Sequence, residues 1–316
     1  MTEVISLDKI KEALKRFDPV QTVEEGFIAY SQGRVVVPPI GEMIFEDPPG
    51  DTHIKYGFIK GNDYYVIKIA SGFYDNPKIG LPCSNGLMLL FSQKTGELIC
   101  ILLDQGYLTN VRTAAAGAVA AKYLAPKAVH RIGIFGAGMQ GRMQLEFLKS
   151  IRECHDAIVW GINQQELDAY KKDMEPQGFT IETTMEAEDI ASTCNLIVTC
   201  TPSTSPLLKA DQIRKGTHIT AMGSDTPEKQ ELDSAILKKA DRVVADSISQ
   251  VQLRGESFKA MEAGLLRPDD LIELGNVISN PSLHRTTEDE ITVADLTGVA
   301  VQDIQISKGV WESLKK

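Results

Sequence analysis

The stretch Arg131-Ile-Gly-Ile-Phe-Gly-Ala-Gly-Met-Gln-Gly141 decides the fold. Its first five residues form a short apolar run of the kind that makes a buried strand. Glycines follow at 136, 138 and 141 in the spacing G-x-G-x-x-G, and from Gly138 to Ser150 the chain reads as a helix. Glycines at this spacing arise by chance, but between a strand and a helix they acquire a physical meaning. Gly136 permits a tight turn, Gly138 lets the backbone approach a pyrophosphate, and Gly141 lets helix and strand pack closely. The helix start adds unpaired N–H groups and the positive end of its dipole. The loop of Gly136, Ala137, Gly138, Met139, Gln140 and Gly141 is therefore expected to hold a dinucleotide.

Downstream, apolar runs at 157–160, 196–200, 217–222 and 242–245 alternate with helical or turn segments. That alternation predicts a parallel sheet covered by helices. The second strand of such a sheet ordinarily ends in an acid that holds the ribose 2′-hydroxyl of NAD. Here it ends Val159-Trp-Gly-Ile-Asn163, with neither that acid nor a cation to meet the 2′-phosphate of NADP. Asn163, Gln164 and Gln165 can hydrogen-bond either ribose, and the lack of a nearby cation tilts the expectation from NADP to NAD.

Upstream, 7–32 reads as helical, with Ile10, Leu14, Val20, Val23, Phe27 and Tyr30 in partial helical spacing and a break at Pro19. From Val35 the pattern changes to short β-like runs punctuated by proline and glycine, among them Tyr64-Tyr-Val-Ile-Lys-Ile69 and Gly86-Leu-Met-Leu-Leu-Phe91. Thr95-Gly96 reads as a hairpin turn into Leu98-Ile-Cys-Ile-Leu-Leu103. The alanine-rich stretch 113–125 is expected to be a helix linking two domains, capped by Thr113 and stopped by Pro126. The tail from Glu290 is expected to return to the first domain. The fold class is thus α/β: a Rossmann-type, doubly wound parallel sheet over 116–290, plus a mixed α+β domain built from 1–115 with 291–316.

Composition agrees with this division. The 316 residues exceed what one core usually organises, about 250–300. Apolar residues make up 43% and charged residues 24%, an ordinary globular profile that needs no disulfide staples. The net charge of -10 disfavours nucleic acid and anionic membrane surfaces as partners. Cysteines at 83, 100, 154, 194 and 200 show no metal-ligand spacing and read as free thiols of a reducing cytosol. The N-terminal residues lack the basic and apolar regions of a signal peptide, and no apolar run approaches the ~20 residues that span a bilayer. A cytoplasmic location is therefore expected. Histidines at 53, 130, 155, 218 and 284 are scattered, and none is assigned to catalysis.

Leu108-Thr-Asn-Val-Arg112-Thr113-Ala-Ala-Ala resembles the LTxxRTAA signature of the ornithine cyclodeaminase/mu-crystallin family. Lys68 in an apolar strand before Gly80-Leu-Pro82 fits that pattern. So do Ala221-Met222-Gly223-Ser224-Asp225-Thr-Pro-Glu-Lys229-Gln-Glu-Leu-Asp233 and Asp295-Leu-Thr297-Gly298-Val-Ala-Val-Gln-Asp303, in order along nearly the whole chain. The resemblance implies an NAD(P)-dependent enzyme of imino- or amino-acid chemistry, usually a homodimer formed through the substrate domain. By the same resemblance Arg112, Lys68, Thr297 and Gly298 bind substrate. Asp225 is the acid/base, and Lys68 is placed with it in catalysis. Arg112, Thr113, Thr201, Met222, Gly223, Ser224 and Lys229 join the glycine loop and Asn163 around the cofactor. Leu296 and either Cys83 or Ser84 match neighbouring positions.

The residue types suit that chemistry. A 2-imino acid presents a carboxylate and a C=N carbon, so its reduction needs cations, a hydride donor and a proton source. Arg112 offers a planar fork for the carboxylate and Lys68 a point charge. Asp225 follows a strand end in an α/β sheet, where ligands usually bind, and can handle the nitrogen's proton; as a turn or helix-cap aspartate it would have no such role. One segment departs from the family pattern. Where many relatives carry an arginine after an early proline, this chain reads Pro38-Pro39-Ile40-Gly41-Glu42, leaving Arg34 and Lys55 as substitutes. Reduction of a small 2-imino acid, or its reverse, leads. A cyclodeaminase that cycles NAD without net redox change is the alternative. A non-catalytic ligand carrier of mu-crystallin type represents another class.

Overall fold

A computed structural model describes residues 2–73 and 75–315. Its internal contacts divide the chain into two units, Met1–Thr113 with Val299–Lys316, and Ala114–Gly298.

The first unit opens with β1 (Glu3–Ser6), α1 (Leu7–Leu14) and α2 (Pro19–Ser31). Pro19 breaks the helical run as expected, but it does so by starting the next helix. It occupies the first turn of α2, where its missing N–H costs nothing, and the Asp18 carboxylate caps that turn at Val20 N. Then come β2 (Val35–Val36), β3 (Gly41–Phe45), β4 (Gly50–Ile59), β5 (Tyr64–Phe73), β6 (Ser84–Ser92) and β7 (Leu98–Leu103). Among the described residues they make one sheet in the order β1-β7-β6-β5-β4-β2, with β3 also on β4. All neighbours are antiparallel except β1 on β7.

The alanine-rich helix is longer than its composition suggests. As α3 it spans Tyr107–Leu124, and the division between the units falls within it. Thr113 therefore lies inside the helix rather than capping it. Asp104 performs that task, its carboxylate accepting from Leu108 N at 2.7 Å. Burial raises the Asp104 pKa, opposed by the N–H groups it accepts.

The second unit carries β8 (Ile132–Phe135), α4 (Met139–Leu148), β9 (Asp156–Trp160), α5 (Gln164–Met174), β10 (Thr180–Thr184), α6 (Ala187–Thr193), β11 (Leu196–Thr199) and β12 (His218–Ala221). It continues through α7 (Ser234–Lys239), β13 (Arg242–Ala245), α8 (Ile248–Val251), α9 (Glu256–Glu262), β14 (Leu271–Glu273), α10 (Leu274–Ser279) and β15 (Thr292–Asp295). Among the described residues the sheet order is β10-β9-β8-β11-β12-β15-β13-β14, parallel throughout. The strand order reverses between β8 and β11, the switch point of a doubly wound fold.

β15 corrects the expected domain boundary at 291. Thr292–Asp295 is buried along its whole length between β12 and β13, so the tail leaves this sheet only after Gly298. A fully buried four-residue run cannot announce its partners; the ladder decides them. His218 helps fix that ladder. Its ring nitrogens meet Thr292 Oγ1 at 2.8 Å and Thr220 Oγ1 at 3.0 Å, and burial holds its pKa well below the usual value. It is a structural group. The last helix, α11 (Ala300–Leu314), belongs to the first unit. It lies over the sheet face that carries Gly57 and Met88, with Ile304 above Gly57 and Ser307 Oγ 2.9 Å from Met88 Sδ.

The glycine loop separates two different needs for glycine. A Cβ on Gly141 would lie 2.0 Å from the Gly136 carbonyl oxygen, whereas one on Gly138 would meet no atom within 4 Å. Gly141→Ala should therefore cost about 3 kcal/mol, the scale of overpacking a tight core. Gly138→Ser should leave the melting temperature unchanged or raise it slightly, since serine is a good N-cap and Gly138 is the N-cap of α4. Thermal unfolding of both variants without ligand checks this; an unimpaired Gly141→Ala would refute the packing argument.

Candidate functional site

The expected site residues fall into two sets, one in each unit. In the second unit, β8 ends at Phe135 and the chain turns at Gly136 (φ 116°), beside the Cys200 carbonyl, into the start of α4. Ala137 is buried, Met139 exposed and Gln140 partly buried. Arg142, which the sequence reading passed over, braces the loop. Its guanidinium donates to the carbonyls of Ala137 and Gly138, pairs with Asp173 at 2.9 Å and lies over the Tyr170 ring. With those carbonyls turned back onto Arg142, the open space over Gly138 and the N-terminus of α4 are suited to phosphate. After β9, Asn163 caps α5 by accepting from Gln165 N at 2.9 Å, and Ile162 is exposed. The residues present thus fit a dinucleotide.

The loop after β12 is held by a buried acid. Glu231 is fully buried. One of its carboxylate oxygens accepts from Thr201 N at 2.6 Å and Thr201 Oγ1 at 2.8 Å. The other accepts from Thr199 Oγ1 at 2.7 Å and Gly223 N at 2.9 Å. This ties the carboxyl ends of β11 and β12 together. Any side chain at 223 would run into Thr201 O and the Glu231 carboxylate, which accounts for the glycine. Burial raises the Glu231 pKa while those hydrogen bonds pull against it. Glu256 accepts from Glu231 N and Leu232 N, and burial together with the nearby Glu231 charge pushes its pKa well up.

On this anchored loop Ser224 Oγ donates to Lys229 O at 2.7 Å, and Lys229 Nζ pairs with Asp225 at 2.7 Å. Arg254 donates to the Asp225 carbonyl at 3.2 Å. Asp225 caps no helix, since the next one, α7, begins nine residues later and is capped by Asp233. Its side chain remains 40% exposed, enough for a reactant to reach it.

Of the stretch 295–303, the part up to Gly298 closes the same unit. Thr297 is buried, its hydroxyl accepting from Gln250 Nε2 at 2.8 Å and donating to Asp246 at 3.2 Å; Gly298 N donates to Asp246 at 2.7 Å. Gly298 has φ 82°, a backbone state that favours glycine. Nearby Asp295 accepts from Ser257 N, and burial lifts its pKa to about 7.

The first unit holds the cations. Lys68 sits mid-strand on β5 and is 2% exposed. Arg112 is buried on α3. Its Nε lies 3.0 Å from Asp303, and its Nη1 donates to Gln302 at 2.8 Å. These partners on the first turn of α11 orient the fork from behind. Thr113 follows it, partly buried. Cys83 and Ser84 are exposed at the start of β6, and burial together with the nearby Asp51 charge raises the Cys83 pKa. Arg34 is exposed, whereas Lys55 is 7% exposed and faces Lys68 across the β4–β5 ladder. Among the described residues no cluster of His, Cys, Asp and Glu could hold a metal, and no helix is long and apolar enough to cross a membrane.

Several of these groups had no usable sequence signal. Glu231 lies in the recognised stretch 221–233, but nothing local marks it as a clamp. Asp246 and Gln250 precede Thr297 by about fifty residues.

The chain matches the ornithine cyclodeaminase/mu-crystallin family over residues 2–316. It is 43% identical to an uncharacterized cyclodeaminase of Sinorhizobium fredii over 92% of this chain and 88% of that one. Among solved structures, the Thermococcus litoralis Δ1-pyrroline-2-carboxylate reductase in complex with NADH and L-proline superimposes with a TM-score of 0.92 at 26% identity, covering 99% and 98% of the two chains. The iminosuccinate reductase of Paracoccus denitrificans in complex with NAD+ gives 0.89 at 30% identity, covering 99% and 96%. A dinucleotide loop, an acid-anchored loop bearing Asp225 and a buried set of cations thus occur in a chain that belongs to the ornithine cyclodeaminase/mu-crystallin family.

Proposed function

We propose that this protein is an NAD-dependent oxidoreductase that reduces a small 2-imino acid to the amino acid, and runs the reverse reaction when amino acid and oxidised cofactor prevail. The observation that carries this reading is Arg112, buried and held from behind by Asp303 and Gln302, in the same unit as buried Lys68. An arginine fork so fixed is suited to a carboxylate, and burial makes the interaction stronger than it would be in water. The relatives named for pyrroline-2-carboxylate and iminosuccinate support the same substrate class.

In this reading the glycine loop and Asn163 hold NAD(H), with Thr113, Thr201, Met222, Gly223, Ser224 and Lys229 completing its surroundings. When bound, the reduced nicotinamide supplies the hydride to the imine carbon. Arg112 and Lys68 hold the substrate carboxylate, and Thr297 and Gly298 contribute the closing segment, kept in shape by Asp246. Asp225 stabilises the protonated C=N by its charge and manages the nitrogen's proton, with Lys229 paired to it at 2.7 Å. One hydride on carbon and one proton on nitrogen complete the amino acid. Family membership supports a homodimer as the assembly.

The Sinorhizobium relative's name favours a second reading, a cyclodeaminase that regenerates its cofactor. Following NADH at 340 nm with oxo acids and ammonia, and ammonia release from diamino acids with NAD+, separates the two. Stoichiometric NADH consumption is expected; ammonia release at constant cofactor would overturn the reductase reading.

Asp225→Asn should still bind NADH but lose ~10²–10⁴ in kcat, the usual range for one general acid/base. Steady-state kinetics with cofactor titration checks this, and a fully active variant would remove Asp225 from the chemistry. For Arg112, alanine is a poor probe, because it would strand the buried Asp303 charge at a cost of about 3–5 kcal/mol. Arg112→Lys keeps the charge and loses the fork. It should raise KM for the acid substrate about tenfold or more, the worth of a charge-assisted hydrogen bond, with little change in melting temperature. An unaltered KM would place the carboxylate elsewhere.

A further inference from the structure

Gln144 is an unusual residue for the inner face of α4. The other buried side chains of that helix are apolar, Met143, Leu145 and Leu148, yet Gln144 is fully buried among them. An amide taken out of water costs free energy unless it finds partners. The Gln144 amide nitrogen donates to Gln140 Oε1 at 3.3 Å and lies 2.7 Å from Met222 Sδ, a thioether that accepts weakly. Gln140 stands one turn earlier, in the glycine loop, and Met222 opens the loop that carries Asp225. The neighbouring helix makes way for this contact. A Cβ on Gly117 of α3 would lie 2.1 Å from Gln144 Oε1 and 2.9 Å from Met222 Cε. Glycine in a helix interior is destabilising relative to alanine, and here it leaves space for those two side-chain ends. The backbone of Met222 is held separately, its N donating to Thr199 O at 3.0 Å, while Glu231 holds Gly223. The Met222 side chain is thus the point at which α4 grips the start of the Asp225 loop.

Resting on the role given to Asp225 above, we propose that Gln144 is a positioning residue that links the seating of a dinucleotide on the glycine loop to the placement of the Asp225 loop. Gln140 and Met222 share one amide group, so the position of either side chain bears on the other. With the glycine loop occupied, Gln140 is fixed, Gln144 is fixed by it, and Met222 is held. Asp225, three residues further on, is then set for the imine nitrogen. An apolar side chain of the same length fills the space and breaks this connection.

The test compares the full-length wild type with two variants. Gln144→Met is similar in length and apolar. Gly117→Ala displaces the ends of Gln144 and Met222, both flexible enough to yield. Hydrogen exchange is followed over 136–143 and 222–229 with and without saturating NADH. In the wild type NADH should slow exchange about tenfold or more in both segments. In both variants the slowing at 136–143 should persist, while that at 222–229 falls about fivefold, the worth of one hydrogen bond. The melting temperature of Gln144→Met without ligand should be unchanged or higher, because an apolar group of like shape spares the buried amide. A residue of packing alone would do the opposite, lowering the melting temperature with the loop's response intact. Single-turnover NADH oxidation with pyruvate and ammonia gives a second readout. Gln144→Met should slow it about fivefold, with no further loss when combined with Asp225→Asn, because it acts through Asp225. Slowing at 222–229 that is equal in variants and wild type overturns the proposal, and would mean that direct contact with the cofactor fixes the loop. So does a wild type whose 222–229 segment ignores NADH, or a rate loss that is the same with and without Asp225→Asn. A loop response lost in the variants, in a protein that oxidises no NADH with oxo acids and ammonia, would sink the reductase reading and leave the link standing. NADH oxidation with the response intact in Gln144→Met would do the reverse.

Discussion

The Glu231 carboxylate is the constraint on which the second unit's chemistry depends. A carboxylate taken fully out of water is costly unless its oxygens are satisfied. Here both oxygens are used to hold other parts: Thr199 and Thr201 at the end of β11, and Gly223 at the start of the Asp225 loop. The loop geometry therefore follows from a charge-satisfaction requirement. Glu256 in turn holds the backbone of Glu231 and Leu232, so that one buried acid positions the other. Burial, and then their proximity, raises the pKa of Glu256, a cost that the surrounding N–H donors offset in part.

The same device recurs under the closing segment, where Asp246 takes Gly298 N and the Thr297 hydroxyl. Around the glycine loop the signs are reversed: a cation, Arg142, gathers the carbonyls of Ala137 and Gly138. Carbonyls held on an arginine leave the N–H side of the turn for an anion. In each case, buried or half-buried charge shapes backbone that has no regular secondary structure to hold it. Strand ends carry the groups of interest, and strand ends are where the ladder no longer supplies hydrogen bonds.

The first unit applies charge differently. Arg112 is neutralised by Asp303 on one side and aimed by Gln302, while Lys55 and Lys68 share a ladder rung. α11 borders both arrangements, since its first turn brings Asp303 and Gln302 and its next turn covers Gly57 and meets Met88. The signature around Arg112 and the closing segment at the far end of the chain thus complete one another through a helix about 190 residues downstream.

The glycine loop, the parallel sheet after it and the alanine-rich helix were legible in the residues because their causes are local. A strand, three glycines and a helix start lie within eleven consecutive positions, and Gly141 answers to the carbonyl of Gly136 five residues before it. The ordered motifs also located Lys68, Arg112 and Asp225 along the chain. What lay beyond the sequence depends on which distant segments meet. Thr113 looked like a cap because alanine begins after it, yet the helix starts earlier, where Asp104 can accept Leu108 N. Thr292–Asp295 was expected in the first domain, but a short run buried on both sides takes its place from its ladder partners, here β12 and β13. Arg34 and Lys55 were equal candidates on paper. Only the β4–β5 register and the cover of α11 left Arg34 exposed and buried Lys55 opposite Lys68, because side-chain burial is a property of long-range packing, not of the residue or its neighbours in sequence.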